Sequence, residues 1–241
     1  ASAHAEKTGT YTNTNRQVQI GRAVVEPPKE VRQDWWIIQE IAKRMGLGWS
    51  YKSPKDIFDE MKLVMPSLDN ISWERLEKDN HVTYPAKSAT MPGEDIIFTN
   101  GFPTSNNLAK IIPVNLIQPN DELNSDFPLI LSTGRLLEHW HTGTMTRRAV
   151  VLSELEPDPM IFMNKVDSNL YNLDLNKSVI IETRRGKISI KIRHDDDLLP
   201  GMIFLPFCFK EAAANILTNS DLDPIGKIPE LKFSAAKVYQ N

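Results

Sequence analysis

Two stretches in the N-terminal half repeat apolar residues at helical spacing. In the first, Asp34 is a candidate cap, Gly46 stands where a left-handed C-terminal residue is favoured, and the apolar stripe comprises Ile38, Ile41, Ala42 and Met45. In the second, Ser53-Pro54 combines a cap with a first-turn proline, Pro66 ends the pattern, and the stripe comprises Ile57, Phe58, Met61 and Val64. The pattern therefore predicts two amphipathic helices between residues 34 and 66.

The regions around these helices lack helical periodicity. Residues 1–22 are polar and rich in Thr and Asn, which predicts an extended or looping segment that is mobile or held by a neighbour. A short helical turn fits 72–76, and 80–94 is predicted to be loop. From residue 96 onward, short β-rich runs alternate with turn signals, which indicates an all-β core; the first such runs are 96–98, 109–114 and 129–131.

The C-terminal half contains a probable hairpin, in which 178–183 and 187–192 flank Arg185-Gly186. A further apolar run covers 202–207, and Asn164 with Asp167 predicts the capped start of a short helix. We therefore divide the chain into a helical and extended segment, 1–119, and a β-barrel with short helices, 120–241.

Composition changes this picture by excluding several functions. Of the 241 residues, 41% are hydrophobic and 24% are charged, which is typical of a globular protein. The net charge of −3, without a basic cluster, argues against nucleic-acid binding. No apolar run approaches the ~18 residues of a membrane helix, so no membrane partner is expected. The start, Ala1-Ser2-Ala3-His4, has neither an initiator Met nor a signal-peptide core, and the sequence is interpreted as a soluble piece of something longer.

Cys208 is the only cysteine, which excludes an internal disulfide or an iron–sulfur cluster built from these residues alone and favours a reducing, cytoplasmic setting. Of the five histidines, only His139 and His141 are close in sequence, and no third ligand accompanies them. We predict no metal site in the chain.

The segment with most chemical content is 132–146, which reads STGRLLEHWHTGTMT and follows the strand expected at 127–131. Gly134 permits close approach of a ligand, and Arg135 offers a planar fork suited to phosphate or to a guanine edge. The alternative is a surface loop in which Arg135 pairs with Glu138. Physical chemistry alone leaves both interpretations open.

Two long runs resemble one enzyme family. TGRLLEHWHTGTMTRR (Thr133 to Arg148) resembles the dinucleotide-binding loop in the C-terminal domain of the dimethyl-sulfoxide-reductase family of molybdopterin oxidoreductases. FLPFCFKEAAANILTNSDLDPIGKIPELKFSAAKV (Phe204 to Val238) resembles the last motif of that family. Three N-terminal runs look like the cytoplasmic, NAD-linked formate dehydrogenases: EKTGTYTNTNRQVQIGRA (Glu6 to Ala23), DWWIIQEIAKRMG (Asp34 to Gly46) and MPSLDNISWERLE (Met65 to Glu77).

The resemblance covers essentially the whole chain and implies the C-terminal part of the catalytic (alpha) subunit. Its implied fold is mainly β with α, a six-stranded double-psi β-barrel over 120–241, preceded by a segment that packs on upstream domains. The implied reaction is oxidation of formate to carbon dioxide at molybdenum or tungsten held by two pterin guanine dinucleotides. Electrons would leave through iron–sulfur clusters, located upstream or in iron–sulfur and flavin subunits, toward NAD.

Carried over position by position, the resemblance implies that this chain contacts one pterin guanine dinucleotide. The strand end and the following loop would wrap it, with Thr133, Gly134 and Thr142 supplying backbone or hydroxyl hydrogen bonds. Phe207, Asn215 and Lys232 match the remaining contacts, Asn215 for a pterin edge and Lys232 for a phosphate or a pterin oxygen. The full set of candidate cofactor-binding residues is Thr133, Gly134, Arg135, Leu136, Leu137, Glu138, His139, Trp140, His141, Thr142, Phe207, Asn215 and Lys232.

No catalytic residue is assigned to this chain. In the resembled family the Cys or selenocysteine metal ligand, its neighbouring His and a distant Arg lie upstream, so His139 and His141 are not interpreted as acid–base catalysts, and the chain alone is expected to be inactive. The arginine pairs 147–148 and 184–185 are expected to be solvated or interfacial.

Two other interpretations remain. One is a nitrate reductase or another family member with the same barrel, although periplasmic nitrate reductases usually differ in the N-terminal runs. The other is a non-catalytic homologue that keeps the barrel as a binding module. Upstream cluster cysteines, and a Cys or selenocysteine followed by His, would separate them.

Overall fold

The structure is a computed structural model that describes residues 1–240, and internal packing divides the chain into two units, Ala1–Ile112 and Pro113–Asn241. The sequence analysis placed the division after residue 119. Each unit is described by itself.

The first unit contains a three-stranded antiparallel sheet in the order β1-β2-β3, with β1 at Gly9–Thr12, β2 at Gln17–Gly21 and β3 at His81–Thr83. Residues 1–22, predicted to be an extended or looping segment, contain two paired strands, and the prediction of a loop across 80–94 is wrong at β3. Val18 and Ile20 of β2 are buried and alternate with partly exposed glutamines, which gives this short strand one hydrophobic face. The distant β3 supplies the hydrogen-bonding partner that a local pattern does not reveal.

Three helices complete the first unit: α1 at Asp34–Arg44, α2 at Pro54–Val64 and α3 at Trp73–Asp79. The two predicted helices are confirmed, and the third is longer than the predicted turn. Ser53 caps α2 by accepting a hydrogen bond from the Asp56 amide at 3.3 Å, and Gly46 has φ +87° just beyond α1. Asp34 is not a cap, because it is the first helical residue and Gln33 holds the cap position without a side-chain bond.

The buried face of α1 differs from the predicted one. The buried side chains of α1 are Gln39 and Ala42, whereas Ile38, Ile41 and Met45 are 56%, 54% and 75% exposed. Gln39 takes the inward position because its side-chain amide donates to the Tyr51 carbonyl at 3.2 Å. The core of this unit instead comes from the sheet, α2, α3 and the connection between these two helices, including Val18, Phe58, Leu68, Ile71, Trp73 and Leu76.

The runs 96–98 and 109–114 are not strands, contrary to prediction. Neither run pairs with a strand in the described part of the chain, and Ile96 and Ile111 are mostly exposed. A run of apolar, β-branched residues does not form a strand unless another strand is available to pair with it.

The second unit is a closed six-stranded barrel in the order β4-β8-β5-β7-β6-β9, as expected for residues 120–241. Its strands are β4 (Leu129–Gly134), β5 (Met160–Met163), β6 (Val179–Thr183), β7 (Lys187–His194), β8 (Met202–Pro206) and β9 (Ser234–Gln240). The pairs β4–β8 and β5–β7 are parallel, and the remaining pairs are antiparallel. Alternate residues of every strand fill the interior, among them Leu131, Ile161, Ile181, Ile203 and Leu205.

The predicted hairpin is β6–β7, with Val179 opposite Ile190. Two short helices, α4 (Val150–Leu155) and α5 (Lys165–Leu170), connect strands. Asn164 caps α5 through a 2.8 Å bond to the Val166 amide, as predicted. Asp167 does not complete a capping box, because its carboxylate accepts from the Gly201 amide at 2.8 Å and holds the turn before β8.

The arginines at 184–185, expected to be solvated or interfacial, are about one-third exposed and also form buried ion pairs within the barrel unit. Arg184 and Arg185 both pair with Asp121, whose side chain is 1% exposed, and Asp121 also accepts the Ala235 amide at 2.8 Å. Thus one buried carboxylate ties the chain before β4 to the β6–β7 turn and to β9.

Over residues 1–240, no helix combines the length and the apolar character that a bilayer crossing requires.

Candidate functional site

A cavity of about 610 Å³ lies where β4 and β8 end. The two strands are parallel neighbours, with Gly134 opposite Pro206, so the segments that follow them leave the barrel side by side. The Phe207 amide donates to the Gly134 carbonyl at 3.1 Å and fixes this exit. Because of this parallel pairing, the segments after β4 and after β8, which are far apart in sequence, form facing walls of one cavity.

The approach to β9 forms a third wall. Because Leu131 pairs with Ser234, the preceding residues Leu231 and Lys232 lie beside the end of β4. The Thr133 hydroxyl donates to the Leu231 carbonyl at 2.7 Å, and the Lys232 ammonium donates to the Thr133 carbonyl. These bonds place a cation at the floor of the cavity.

Gly134 is the position of closest approach. A Cβ atom added there would lie 2.7 Å from Cζ of Phe204 and 3.6 Å from Nζ of Lys232. The distance to Phe204 is shorter than real Cβ contacts, so a side chain here would displace the Phe204 ring, whereas the Lys232 ammonium lies at ordinary contact distance. Strand β4 extends to this residue, three residues beyond the predicted end at Leu131.

The polar lining of the cavity suits an anionic ligand. Arg135, Lys210 and Lys232 contribute positive charge, Asn215 contributes an amide with donors and an acceptor, and Thr142 contributes a hydroxyl. The Arg135 guanidinium lies 5.9 Å from the centroid of the Trp140 ring, and among the described residues no ion pair joins it to Glu138. The alternative interpretation, a surface loop in which Arg135 pairs with Glu138, is therefore not what the structure shows.

The cavity brings together part of the predicted set. The predicted residues that line it are Thr133, Arg135, His141, Thr142, Phe207, Asn215 and Lys232. Gly134 is the buried close-approach position described above, and Leu136, Leu137, Glu138, His139 and Trp140 have no side chain in the lining. Leu137 is 96% exposed, whereas His139 is buried and its Nε2 lies 2.8 Å from the Glu156 carbonyl.

The two neighbouring histidines diverge. The His139 ring meets Phe209 edge-on at 5.6 Å, whereas the His141 ring meets Phe207 at 5.4 Å and faces the cavity. Their side chains therefore do not converge on one point, as a shared metal ion would require.

Several lining residues were missed by the sequence analysis: Phe209, Lys210, Ala213, Ala214 and Leu231. Lys210 is the chemically important one, because it adds a third cation. The only sequence signal for Lys210 was its position in the run that follows β8.

The single cysteine, Cys208, lies two residues before Lys210. Burial raises the pKa of the Cys208 thiol, so the thiol stays protonated and poorly reactive.

Comparison with known proteins gives an independent result. Residues 129–235 match the family described as molydopterin dinucleotide binding domain, and residues 1–44 match the family described as molybdopterin oxidoreductase. The first range contains most of the barrel and every residue that lines the cavity.

Individual relatives agree with these matches. The chain is 40% identical to the F420-dependent formate dehydrogenase subunit alpha of Methanocaldococcus jannaschii, over 99% of this chain and 36% of the relative. It is 29% identical to formate dehydrogenase H of Escherichia coli, over 99% of this chain and 34% of the relative. Among solved structures, acetylene hydratase from Pelobacter acetylenicus matches with a TM-score of 0.66 and 20% identity, over 98% of this chain and 37% of the other, which shows likeness of fold.

The barrel and its cation-lined cavity thus constitute a dinucleotide-binding domain. The chain matches molybdopterin family models over residues 1–44 and 129–235, and over 99% of its length it is similar to formate dehydrogenase alpha subunits. It spans about a third of the length of these relatives.

Proposed function

We propose that this chain is the C-terminal, cofactor-binding part of the catalytic subunit of a formate dehydrogenase. In that role the cavity at the ends of β4 and β8 holds one pterin guanine dinucleotide of a molybdenum or tungsten cofactor. The observation that carries the proposal is the cavity itself, which is lined by three cations, an amide and two hydroxyls and lies beside Gly134, where a Cβ would collide with the Phe204 ring. The similarity to formate dehydrogenase alpha subunits supports formate as the substrate.

The residues present fit a dinucleotide. A diphosphate requires positive charge and hydrogen-bond donors, which Arg135, Lys210 and Lys232 supply. A flat base or pterin requires an aromatic or apolar surface and a polar edge, which Phe207 and Asn215 supply. These residues bind and orient, and the bound metal would supply the redox chemistry that removes two electrons from formate.

We further propose that residues 1–112 pack against the upstream part of the same subunit. Helix α1 exposes Ile38 and Ile41, and Met45 directly after the helix falls on the same side, which is an unusual apolar surface for a solvated helix. The relatives are about three times as long as this chain, so the same polypeptide would contain the surface that covers these side chains.

For the electron path, we propose iron–sulfur clusters outside these residues, leading to partner iron–sulfur and flavin subunits and to NAD in the cytoplasm. The N-terminal runs that resemble NAD-linked enzymes, together with a single buried cysteine, support this assignment. A second acceptor has its own support, because two of the relatives, at 40% and 36% identity, are F420-dependent.

The test is an assay of the full-length subunit and of this chain alone. We expect the full-length enzyme to contain metal and guanine nucleotide and to oxidise formate with an artificial dye. We expect this chain alone to show no formate oxidation, because the residues that would bind metal and substrate lie upstream. Comparing NAD with F420 as acceptor then assigns the electron path.

Three results would contradict the proposal. Nitrate reduction without formate oxidation by the full-length enzyme would assign it to the nitrate reductases. A full-length protein that never contains pterin would favour the non-catalytic binding module. Metal-dependent formate turnover by this chain alone would show that the catalytic residues are misplaced.

A further inference from the structure

Two segments form opposite walls of the cavity: the loop after β4, which contributes His141 and Thr142, and the segment after β8, which contributes Phe209 and Lys210. We propose that Arg147, paired with Glu211, is a positioning residue that holds these two walls at the separation a dinucleotide needs. This inference rests on the proposed function.

The ion pair joins the walls at two points. Nη1 of Arg147 donates to Oε2 of Glu211 at 2.8 Å, and Nη2 donates to Oε1 at 3.3 Å. A two-point contact between a planar guanidinium and a carboxylate sets an angle as well as a distance. The hydrogen bond from Arg147 also holds the pKa of Glu211 below its usual value, the direction expected when a guanidinium stabilises the charged carboxylate.

Arg147 also contacts the wall residue Phe209. Its guanidinium lies 4.8 Å from the centroid of the Phe209 ring, and His139 meets the same ring edge-on. Phe209 is buried and lines the cavity, so its ring is held on two sides. His139, a candidate ligand residue on sequence grounds, would support the cavity through this ring.

The backbone brings the walls into contact at the same place. Gly143 has φ +75°, and a Cβ there would lie 2.7 Å from the Cys208 carbonyl oxygen and 2.8 Å from Cδ of Arg147. The Arg147 amide donates to the Gly143 carbonyl at 3.0 Å. The loop after β4 therefore touches the segment after β8 beside Arg147, and rotation of the arginine would change the gap between them.

Neither Arg147 nor Glu211 lines the cavity, so their effect on a ligand is transmitted through Phe209 and the loop. A contact residue would change both the affinity for the dinucleotide and its recognition. A positioning residue changes how firmly the cavity retains the dinucleotide and leaves the chemistry of the loaded enzyme unchanged.

The experiment measures loss of guanine nucleotide and metal from the full-length enzyme after dilution and gel filtration. Glu211→Gln and Arg147→Gln should each increase the rate of loss roughly three- to fivefold, the scale of one partly exposed ion pair. The kcat of the fraction that remains loaded should equal that of the wild type. The charge-swapped double variant, Arg147→Glu with Glu211→Arg, should lose cofactor more slowly than either single charge reversal.

Glu182→Gln is the matched control, because Glu182 is a partly exposed carboxylate that pairs with Lys237 at 3.4 Å on β6 and β9, and neither residue lines the cavity. Its rate of loss should equal that of the wild type. A Glu211→Gln enzyme that keeps its cofactor as well as the wild type, or a control that loses it equally fast, would overturn the positioning role. A wild-type enzyme that contains no pterin guanine dinucleotide would instead overturn the proposed function.

Discussion

Replacing Asp121 by alanine is expected to lower the free energy of unfolding of this chain by about 3 kcal/mol. Asp121 is buried, pairs with Arg184 and Arg185, and accepts the Ala235 amide. The alanine variant leaves two arginines and a buried N–H without their shared acceptor. Removing one partner of a buried ion pair destabilises a protein more than replacing the whole pair by apolar residues, because the remaining charge stays buried without compensation. We take the low end of the usual range because both arginine side chains are about one-third exposed and can recover some hydration.

Denaturant unfolding measures this change as a lower midpoint at constant slope. The neighbouring Glu122→Ala is the control, since it removes the same kind of charge from an exposed side chain and should change stability by less than about 0.5 kcal/mol. Asp121→Asn keeps one acceptor oxygen without the charge, so its stability should lie between those of the Asp121→Ala and Glu122→Ala variants. Equal stability of the Asp121→Ala and Glu122→Ala variants would mean that the buried carboxylate does not hold the barrel together.

The Asp121 network shows why the ion pairs of Arg184 and Arg185 could not be predicted from sequence. A pair of adjacent arginines next to a turn glycine is usually solvated, and Arg184-Arg185-Gly186 has that pattern. The partner lies about sixty residues earlier, in a segment without regular structure, so no local spacing connects the two. Long-range ion pairs of this kind become visible only when the barrel closes.

The same limitation explains the first strands. The alternation of Val18 and Ile20 between glutamines was present in the sequence, but β1 and β2 are only four and five residues long, and the third strand, β3, is about sixty residues away. By contrast, the β6–β7 hairpin was predictable, because both strands and the turn lie within one window and Ile188, Ile190 and Ile192 alternate with polar residues. Local patterns therefore identified the long hairpin and the helices, and missed the short strands β1 and β2 and the strand β3 whose partner is distant.

Only one wall of the cavity, the loop after β4, could be predicted from the sequence. Gly134 and Arg135 follow an apolar strand, which is a local signal for a ligand-binding loop. Lys210 and Leu231 belong to the cavity only because β8 and the approach to β9 lie on either side of β4. Their residue types alone, an exposed lysine and a leucine, indicate nothing about a ligand.

Arg135→Ala and Lys232→Ala in the full-length enzyme are expected to lower the occupancy of the cofactor and to leave formate selectivity unchanged. Both cations line the cavity, and Lys232 is already directed there by its bond to the Thr133 carbonyl. Each lost charge-assisted hydrogen bond is worth on the order of 1.5–3 kcal/mol, which corresponds to roughly a ten- to hundredfold weaker affinity. The measurement is metal and guanine content per protein, followed by KM and kcat for formate in the loaded fraction.

Arg148→Ala is the matched control for Arg135, because Arg148 is an exposed arginine of the same loop that does not line the cavity. Its metal and guanine content should equal that of the wild type. Lys232→Arg tests whether charge alone suffices, and we expect partial occupancy, since the bulkier fork must fit beside Gly134 and Phe204. If Arg135→Ala and Lys232→Ala kept full metal and guanine content but raised KM for formate, the two cations would belong to the substrate site and the cavity would not be the dinucleotide site.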